Sequence, residues 1–107
     1  GGHMKKIHKY ALAPPFIINA PRDTQWLHVG QDSVQVSGNG AARMLPVIWA
    51  LVDDAAFNVK HTFSCLGTGS EVGEHIDCYI GTVAMEGGQY VVHVFLDKVD
   101  MGAKANA

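Results

Sequence analysis

Alternating hydrophobic and polar residues run through much of the chain and predict short β-strands. The segment from Lys5 to Leu12 alternates, and the side led by Tyr10 and Leu12 is expected to face the core. The segment from Lys60 to Leu66 alternates in the same way. One face of this second strand is expected to carry His61, Phe63 and Cys65.

Three further segments are apolar on almost every residue: Val47–Val52, Tyr79–Met85 and Tyr90–Leu96. A strand without a polar face is expected to be covered on both sides, either within the domain or by another subunit. Because one small domain cannot easily cover three such strands, the pattern predicts a homo-oligomer. Glu86-Gly87-Gly88 separates the last two segments and predicts an antiparallel hairpin.

The remaining segments are shorter. Phe16–Ile18 follows Pro14-Pro15 and predicts a short strand at a sheet edge. Gln25–Gly30 predicts a further strand, in which Trp26 lies on the face opposite Val29. Ser33–Ser37 is expected to form a separate strand before a turn at Gly38-Asn39-Gly40. Ala41–Leu45 is expected to form either one helical turn or a loop. One helical turn is also considered for Glu71–Ile76.

These elements predict an all-β, mainly antiparallel fold: a small sandwich or partly open barrel of six or seven strands, with at most one or two short helical turns. The chain has 107 residues, which suits one domain over residues 4–97. Residues 1–3 are interpreted as a tag remnant and residues 98–107 as a disordered tail.

Composition and charge narrow the function classes. The formal net charge is −2 and no basic block is present, which disfavours duplex nucleic acid as a partner. No segment approaches the ~20 apolar residues of a membrane span, and no signal peptide is evident, so a cytoplasmic location is expected. Cys65 and Cys78 are interpreted as free thiols, with a disulfide between them as the alternative.

The loop Gly67-Thr68-Gly69-Ser70 is the first candidate binding site. Its glycines expose backbone N–H groups and its hydroxyls add donors, so such a loop can hold a phosphate or a carboxylate. It lacks the lysine of a P-loop, and a tight turn that needs positive φ explains the same residues.

Three other side chains complete the candidate ligand-binding set. His93 lies within an apolar strand and is either a core or interface residue or a donor to an anionic or purine ligand. Four rings can offer a stacking surface to a base: Trp26, Trp49, Tyr79 and Tyr90. Trp26 lies in a more polar segment than Trp49 and is the better candidate for an exposed platform, whereas Trp49 is expected in the core. Arg43 lies in a predicted loop from which it can reach a ligand phosphate.

No motif pairs a nucleophile with a base, and no His/Cys spacing is typical of a metal site. The sequence therefore favours a protein that is not an enzyme and needs neither metal nor cofactor.

Several short motifs together resemble a family of short, uncharacterised proteins encoded by tailed phages and prophages. The resemblance covers the chain from Lys5 to Leu96. The motifs that carry it are Lys9-Tyr10-Ala11-Leu12, Trp49-Ala50-Leu51-Val52-Asp53, Phe63 with Gly67-Thr68-Gly69, Tyr79-Ile80-Gly81-Thr82-Val83 and His93-Val94-Phe95. The chain departs from that family at Val92, where a Trp is usual, and by an insertion around Asp32–Leu45. If that Trp forms a ligand wall, a residue of the inserted segment such as Arg43 takes over its role.

The resemblance implies binding rather than catalysis. One group of small phage proteins sequesters the nucleotide signals of bacterial anti-phage defence, such as the cyclic di- or trinucleotides of CBASS, and these sponges are oligomers that hold ligands at subunit interfaces. The leading hypothesis is therefore a cyclic-nucleotide sponge in the host bacterial cytoplasm. The alternatives are a protein-binding module, which inhibits a host protein or assists phage assembly, and a small structural component.

Overall fold

The structure is a computed structural model that describes residues 4–35 and 40–99, and these residues form seven strands. The strands are β1 (Lys5–Ala11), β2 (Ile17–Pro21), β3 (Gln25–Gln35), β4 (Ala42–Asp53), β5 (Asn58–Gly67), β6 (Ile76–Met85) and β7 (Tyr90–Asp97). The helical content is one 3₁₀ turn over Glu86–Gly88, within the predicted hairpin connection. The all-β prediction is therefore confirmed.

The strands form two antiparallel sheets that pack face to face as a sandwich. The three-stranded sheet has the order β1-β4-β3, and the four-stranded sheet has the order β2-β5-β7-β6. The apolar segments of β4 and β7 lie inside their sheets, and β2 is an edge strand, as the sequence predicts. β6 and β7 form the predicted hairpin, in which Met85 pairs with Tyr90.

The core consists of the inward-facing residues of both sheets. Its central cluster is Leu12, Ile18, Ala20, Val29, Ile48, Phe63 and Val94, each at most 5% exposed. The two sheets approach closely where β6 crosses β3, since a Cβ atom on Gly81 would lie 2.6 Å from Cγ2 of Val29. A side chain at Gly81 would push this buried valine, so the close packing of the sheets depends on the glycine.

The two tryptophans lie opposite to their expected positions, Trp26 because of a β-bulge in β3 and Trp49 because it alternates with buried Ile48 and Ala50 on β4. Trp26 pairs with Ala50 and His28 pairs with Trp49, so that Leu27 is the extra residue. The bulge interrupts the alternation of faces. Trp26 therefore points inward, where its ring meets Phe63 edge-on at 4.9 Å, and the expected exposed platform is wrong. Trp49 lies on the outer face, half-buried beside His28, rather than in the core.

Three local predictions also differ from the structure. The two strands predicted within residues 25–37 are one continuous strand, β3, as far as Gln35. Residues 42–45 form the start of β4 and not a helical turn, because they pair with residues 32–35 of β3. Residues 71–75 contain no helix and end in a turn in which Ile76 N donates to Gly73 O at 3.3 Å, before β6 begins.

β6 also departs from the prediction of a strand without a polar face, because Tyr79 and Thr82 are exposed on its outer side. The tag remnant, the Gly38-Asn39 part of the predicted turn and tail residues 100–107 lie outside the described residues. In the part of the chain that is described, no helix has the length and apolar character needed to cross a membrane.

Candidate functional site

The loop Gly67–Ser70 is a tight turn at the end of β5. Ser70 N donates to Gly67 O at 3.1 Å, which closes the turn, and Gly69 has a φ of +95° that favours glycine. The backbone N–H groups of Thr68 and Gly69 form no backbone hydrogen bond with any described residue outside the strand ladders. The structure thus bears out the turn, and the two amides remain able to donate to an anion.

The loop meets the strand histidine on the outer face of the four-stranded sheet. Thr68 Oγ1 lies 2.8 Å from His93 Nε2, and the other ring nitrogen, Nδ1, lies 3.0 Å from Thr82 Oγ1. Thr82 in turn shares a hydrogen bond with the hydroxyl of Tyr79 at 2.5 Å. Because hydroxyls both donate and accept, this network accommodates either tautomer of the imidazole and its protonated form.

An aromatic pair continues this surface along the sheet. Tyr79 of β6 pairs with Phe95 of β7, and their rings meet edge-on with centroids 5.5 Å apart. Tyr79 is 56% exposed, so one ring face is accessible to a planar ligand. Phe95 is two residues from His93 on β7, so the two side chains lie on the same face of the strand.

A second polar cluster occupies the far end of the same face. Ser64 Oγ donates to Asp97 Oδ1 at 2.6 Å and lies 3.1 Å from His75 Nε2. The serine thus lies between the imidazole and the carboxylate. In a serine hydrolase the carboxylate instead orients the histidine, which then activates the serine. The cluster therefore lacks the order of a Ser-His-Asp triad.

Charge is distributed unevenly along this face. Asp97 lies four residues from His93 on β7, which corresponds to ~13 Å at the rise of a β-strand. The end near Thr68 and His93 carries donors and no carboxylate among the residues of the network, whereas the Ser64 end carries Asp97. An anionic group is therefore favoured at the loop end and disfavoured at the other.

The surface called the outer site below consists of Thr68, Gly69, Tyr79, Thr82, His93 and Phe95. It brings together two of the sequence-predicted elements, the glycine loop and His93. Gly67 and Ser70 belong to the turn itself. Trp26 lies inside the sandwich, and Arg43 lines a separate pocket with Glu86.

The other histidines and the thiols have structural environments. His61 Nε2 lies 3.1 Å from the carbonyl oxygens of both Ala20 and Pro21, so this nitrogen carries the proton and fastens β5 to the end of β2. Both cysteines are free thiols, as predicted. Burial, and secondarily the charge of Asp97, raises the pKa of the Cys65 thiol to about 11, which opposes formation of a nucleophilic thiolate.

Within residues 4–35 and 40–99 no three His, Cys, Asp or Glu side chains are grouped as a metal site requires. A comparison with protein families gives one assignment: the family model described as "Domain of unknown function (DUF7352)" matches residues 4–104. The chain belongs to the DUF7352 family. No curated protein and no solved structure matches this DUF7352 chain.

Sequence reasoning missed five residues of this face of the DUF7352 domain, Ser64, His75, Thr82, Phe95 and Asp97, whereas Tyr79 is among the rings considered for stacking. Tyr79 and Thr82 lie in a segment that reads as apolar, and bulges after Ile76 and Tyr79 alter which residues of β6 face outward. Ser64 and Asp97 are 33 residues apart, so their spacing carries no local signal. Only the pairing of β5 with β7 brings them together.

Proposed function

We propose that this protein binds a nucleotide at the outer site without transforming it, and that its ligand is a cyclic oligonucleotide signal of bacterial anti-phage defence. The observation that carries the proposal is the meeting of the Gly67–Ser70 turn with His93 beside an exposed tyrosine. Sequestration by a small protein needs no catalytic group, because binding alone lowers the free concentration of the signal.

Each part of the outer site suits one part of a nucleotide. The exposed ring of Tyr79 offers a stacking surface to a base, and base–aromatic stacking typically contributes about 1–3 kcal/mol per base. The amides of Thr68 and Gly69 can donate to a phosphate, and the hydrogen bond between Thr68 and His93 holds the turn in place beside them. An open sheet that presents aromatic rings and hydrogen-bonding side chains is a common surface for the unstacked bases of single-stranded RNA.

The experiment is a thermal-shift screen of the full chain against cyclic dinucleotides and cyclic trinucleotides, followed by calorimetry. A ligand at one hundred times its Kd stabilises the folded protein by about 2.7 kcal/mol, so the melting temperature is expected to rise for at least one compound. No shift across the panel would overturn the proposal.

Matched variants locate the site. We expect His93→Ala and Tyr79→Leu each to weaken binding at least tenfold, because one removes the side chain that positions Thr68 and the other removes the stacking ring. Thr62→Val is the control, since Thr62 is an exposed threonine on β5 that pairs with the edge strand β2. An affinity unchanged by both site variants would place the ligand elsewhere.

A second candidate function is a protein-binding module that inhibits a host protein or assists phage assembly. The observation in its favour is the outer face of the three-stranded sheet, where Ile7 is 66% and Leu27 47% exposed beside half-buried Trp49 and Leu51. The same apolar face supports the proposal of a homo-oligomer in the cytoplasm of the host bacterium. Light scattering after size-exclusion chromatography tests this proposal, and a clean monomer at micromolar concentration would contradict it.

A further inference from the structure

An apolar cleft opens between the two sheets, at the end of the sandwich where β1 turns into β2. Its volume is about 570 Å³, within the range of sites for small ligands. The apolar residues that line this end cleft include Leu12, Phe16, Leu45, Cys65, Leu66 and Val92. Most of these side chains belong to strands on both sheets, so the walls are held by the sandwich itself. Gly67 and Thr68 of the turn after β5 line it as well, so the end cleft adjoins the outer site.

The end cleft adjoins a second, polar pocket of about 480 Å³, here called the Arg43 pocket. The two share Leu45, Pro46 and Tyr90 as a common wall. Arg43 and Glu86 are the charged residues that line the Arg43 pocket. Among the described residues no carboxylate forms an ion pair with Arg43, so its guanidinium is available to a ligand.

Backbone geometry marks the same two cavities. In the described ranges two residues other than glycine have positive φ, Phe16 at 61° and Glu86 at 50°. Phe16 lines the end cleft and Glu86 lines the Arg43 pocket. A bulky residue in the left-handed region is disfavoured by steric contacts, and such residues are concentrated at functional sites.

We propose that the two adjoining cavities form one binding site for an amphipathic carboxylate. This site shares Thr68 with the outer site but does not include Tyr79 or His93. The apolar chain of such a molecule occupies the end cleft, where burial of its methylene groups drives binding. Its carboxylate lies in the Arg43 pocket, where the planar guanidinium can donate two parallel hydrogen bonds. Glu86 repels the same carboxylate and limits the affinity.

The test compares two probes, decanoate and decanol, below their critical micelle concentrations, by calorimetry and by two-dimensional NMR of the full chain. Both probes are expected to shift resonances of residues in the end cleft, and decanoate is expected to bind more tightly. Decanoate that binds no better than decanol, or that leaves these resonances unmoved, would overturn the proposal.

Two charge variants are expected to act in opposite directions. Arg43→Gln should weaken the binding of decanoate about tenfold, which corresponds to ~1.4 kcal/mol, and leave the binding of decanol unchanged. Glu86→Gln should strengthen the binding of decanoate two- to threefold, which is a smaller change in binding free energy. Arg22→Gln is the matched control, because Arg22 is an exposed arginine in the turn between β2 and β3. Equal effects of Arg43→Gln and Arg22→Gln would contradict the site.

Val92→Trp provides a steric test, because an indole at this position fills the end cleft and should abolish binding of both probes. The charge variants decide the question if this variant does not fold. His93→Ala removes the hydrogen-bond partner of Thr68 in the outer site and should leave decanoate binding unchanged, because His93 lines neither cavity. The proposal for the outer site and the proposal for the two cavities can therefore be contradicted independently of each other.

Discussion

The outer faces of the two sheets are built from different interactions. On the three-stranded sheet, His28 stacks on Trp49 at 5.9 Å, and the indole lies against Gly30, where a Cβ atom would come within 3.0 Å of the ring. On the four-stranded sheet, two threonine hydroxyls and the His93 imidazole form a network that joins a loop to two strands.

This difference indicates that one face contributes mainly to the stability of the fold and the other to ligand binding. A large ring packed over a sheet removes apolar surface from water and stabilises the fold in proportion to that area. A hydrogen-bonded network at the surface contributes little net free energy, because water replaces each bond that is lost. The first face therefore stabilises the sandwich, whereas the second is available to bind a ligand.

The largest expected effect is that of Trp49→Ala. Truncation of a buried aromatic residue typically costs about 3–5 kcal/mol, and for the half-buried indole we expect a loss of about 2–3 kcal/mol in the free energy of unfolding. Urea denaturation followed by circular dichroism measures it. Trp49→Phe, which keeps a ring over Gly30, should lose less than half as much, and equal losses would show that the stack is not the cause.

Phe95→Ala, at the matching central position of the other sheet, is expected to cost about 1–2 kcal/mol. Phe95 is half-buried and its ring contacts Tyr79, but it is smaller than an indole. Urea denaturation is again the measurement, and Phe95→Leu is the control. A loss greater than that of Trp49→Ala would reverse the proposed difference between the faces.

His93→Ala is expected to change the free energy of unfolding by less than about 1 kcal/mol, although it removes two hydrogen bonds. Thr68→Val, which removes only one of these two hydrogen bonds, should cost still less. If chemical denaturation shows a loss near that of Trp49→Ala, the network stabilises the fold, and the four-stranded face is not a surface kept free for a ligand.

The smallest effect concerns an ion pair on the three-stranded face. Lys9 donates to Asp32 at 2.6 Å, and this hydrogen bond, with a backbone donor at Ser33, lowers the pKa of the Asp32 carboxyl below its ordinary value of 3.8. A lowered folded-state pKa stabilises the protein above pH 3.8, and this contribution disappears as the pH falls through the folded-state value.

Asp32→Asn should therefore be slightly less stable than the parent chain at neutral pH and equally stable in strong acid. Urea denaturation from pH 7 to pH 2 measures the difference, which 1 M salt should reduce because the pair is exposed. If the stability difference between the two proteins grows as the pH falls, the ion pair with Lys9 does not stabilise the folded protein.

Local pattern was sufficient for most of the strands. The alternation at Lys60–Leu66 placed Phe63 and Cys65 on one face, and Glu86-Gly87-Gly88 marked the connection between β6 and β7. These features are local because side chains alternate with a period of two and because glycine permits positive φ in a turn. The start of β4 was not predictable in this way, since its strand pairing depends on residues 32–35.

The positions of the tryptophans and the composition of the outer site depended on the tertiary structure. A single extra residue at Leu27 placed Trp26 inside, where the sequence had indicated an exposed platform. Likewise, only the register between β6 and β7 places Thr82 beside His93, 11 residues apart in the chain.

By itself, then, the sequence determined an all-β chain with a glycine turn after β5 and a histidine in the last strand. The tertiary structure decided that the turn and the histidine meet, which rings face water, and where a cleft remains between the sheets. The physical reason is range: backbone preferences act over a few residues, whereas bulges, register and sheet packing depend on strands that are distant in sequence.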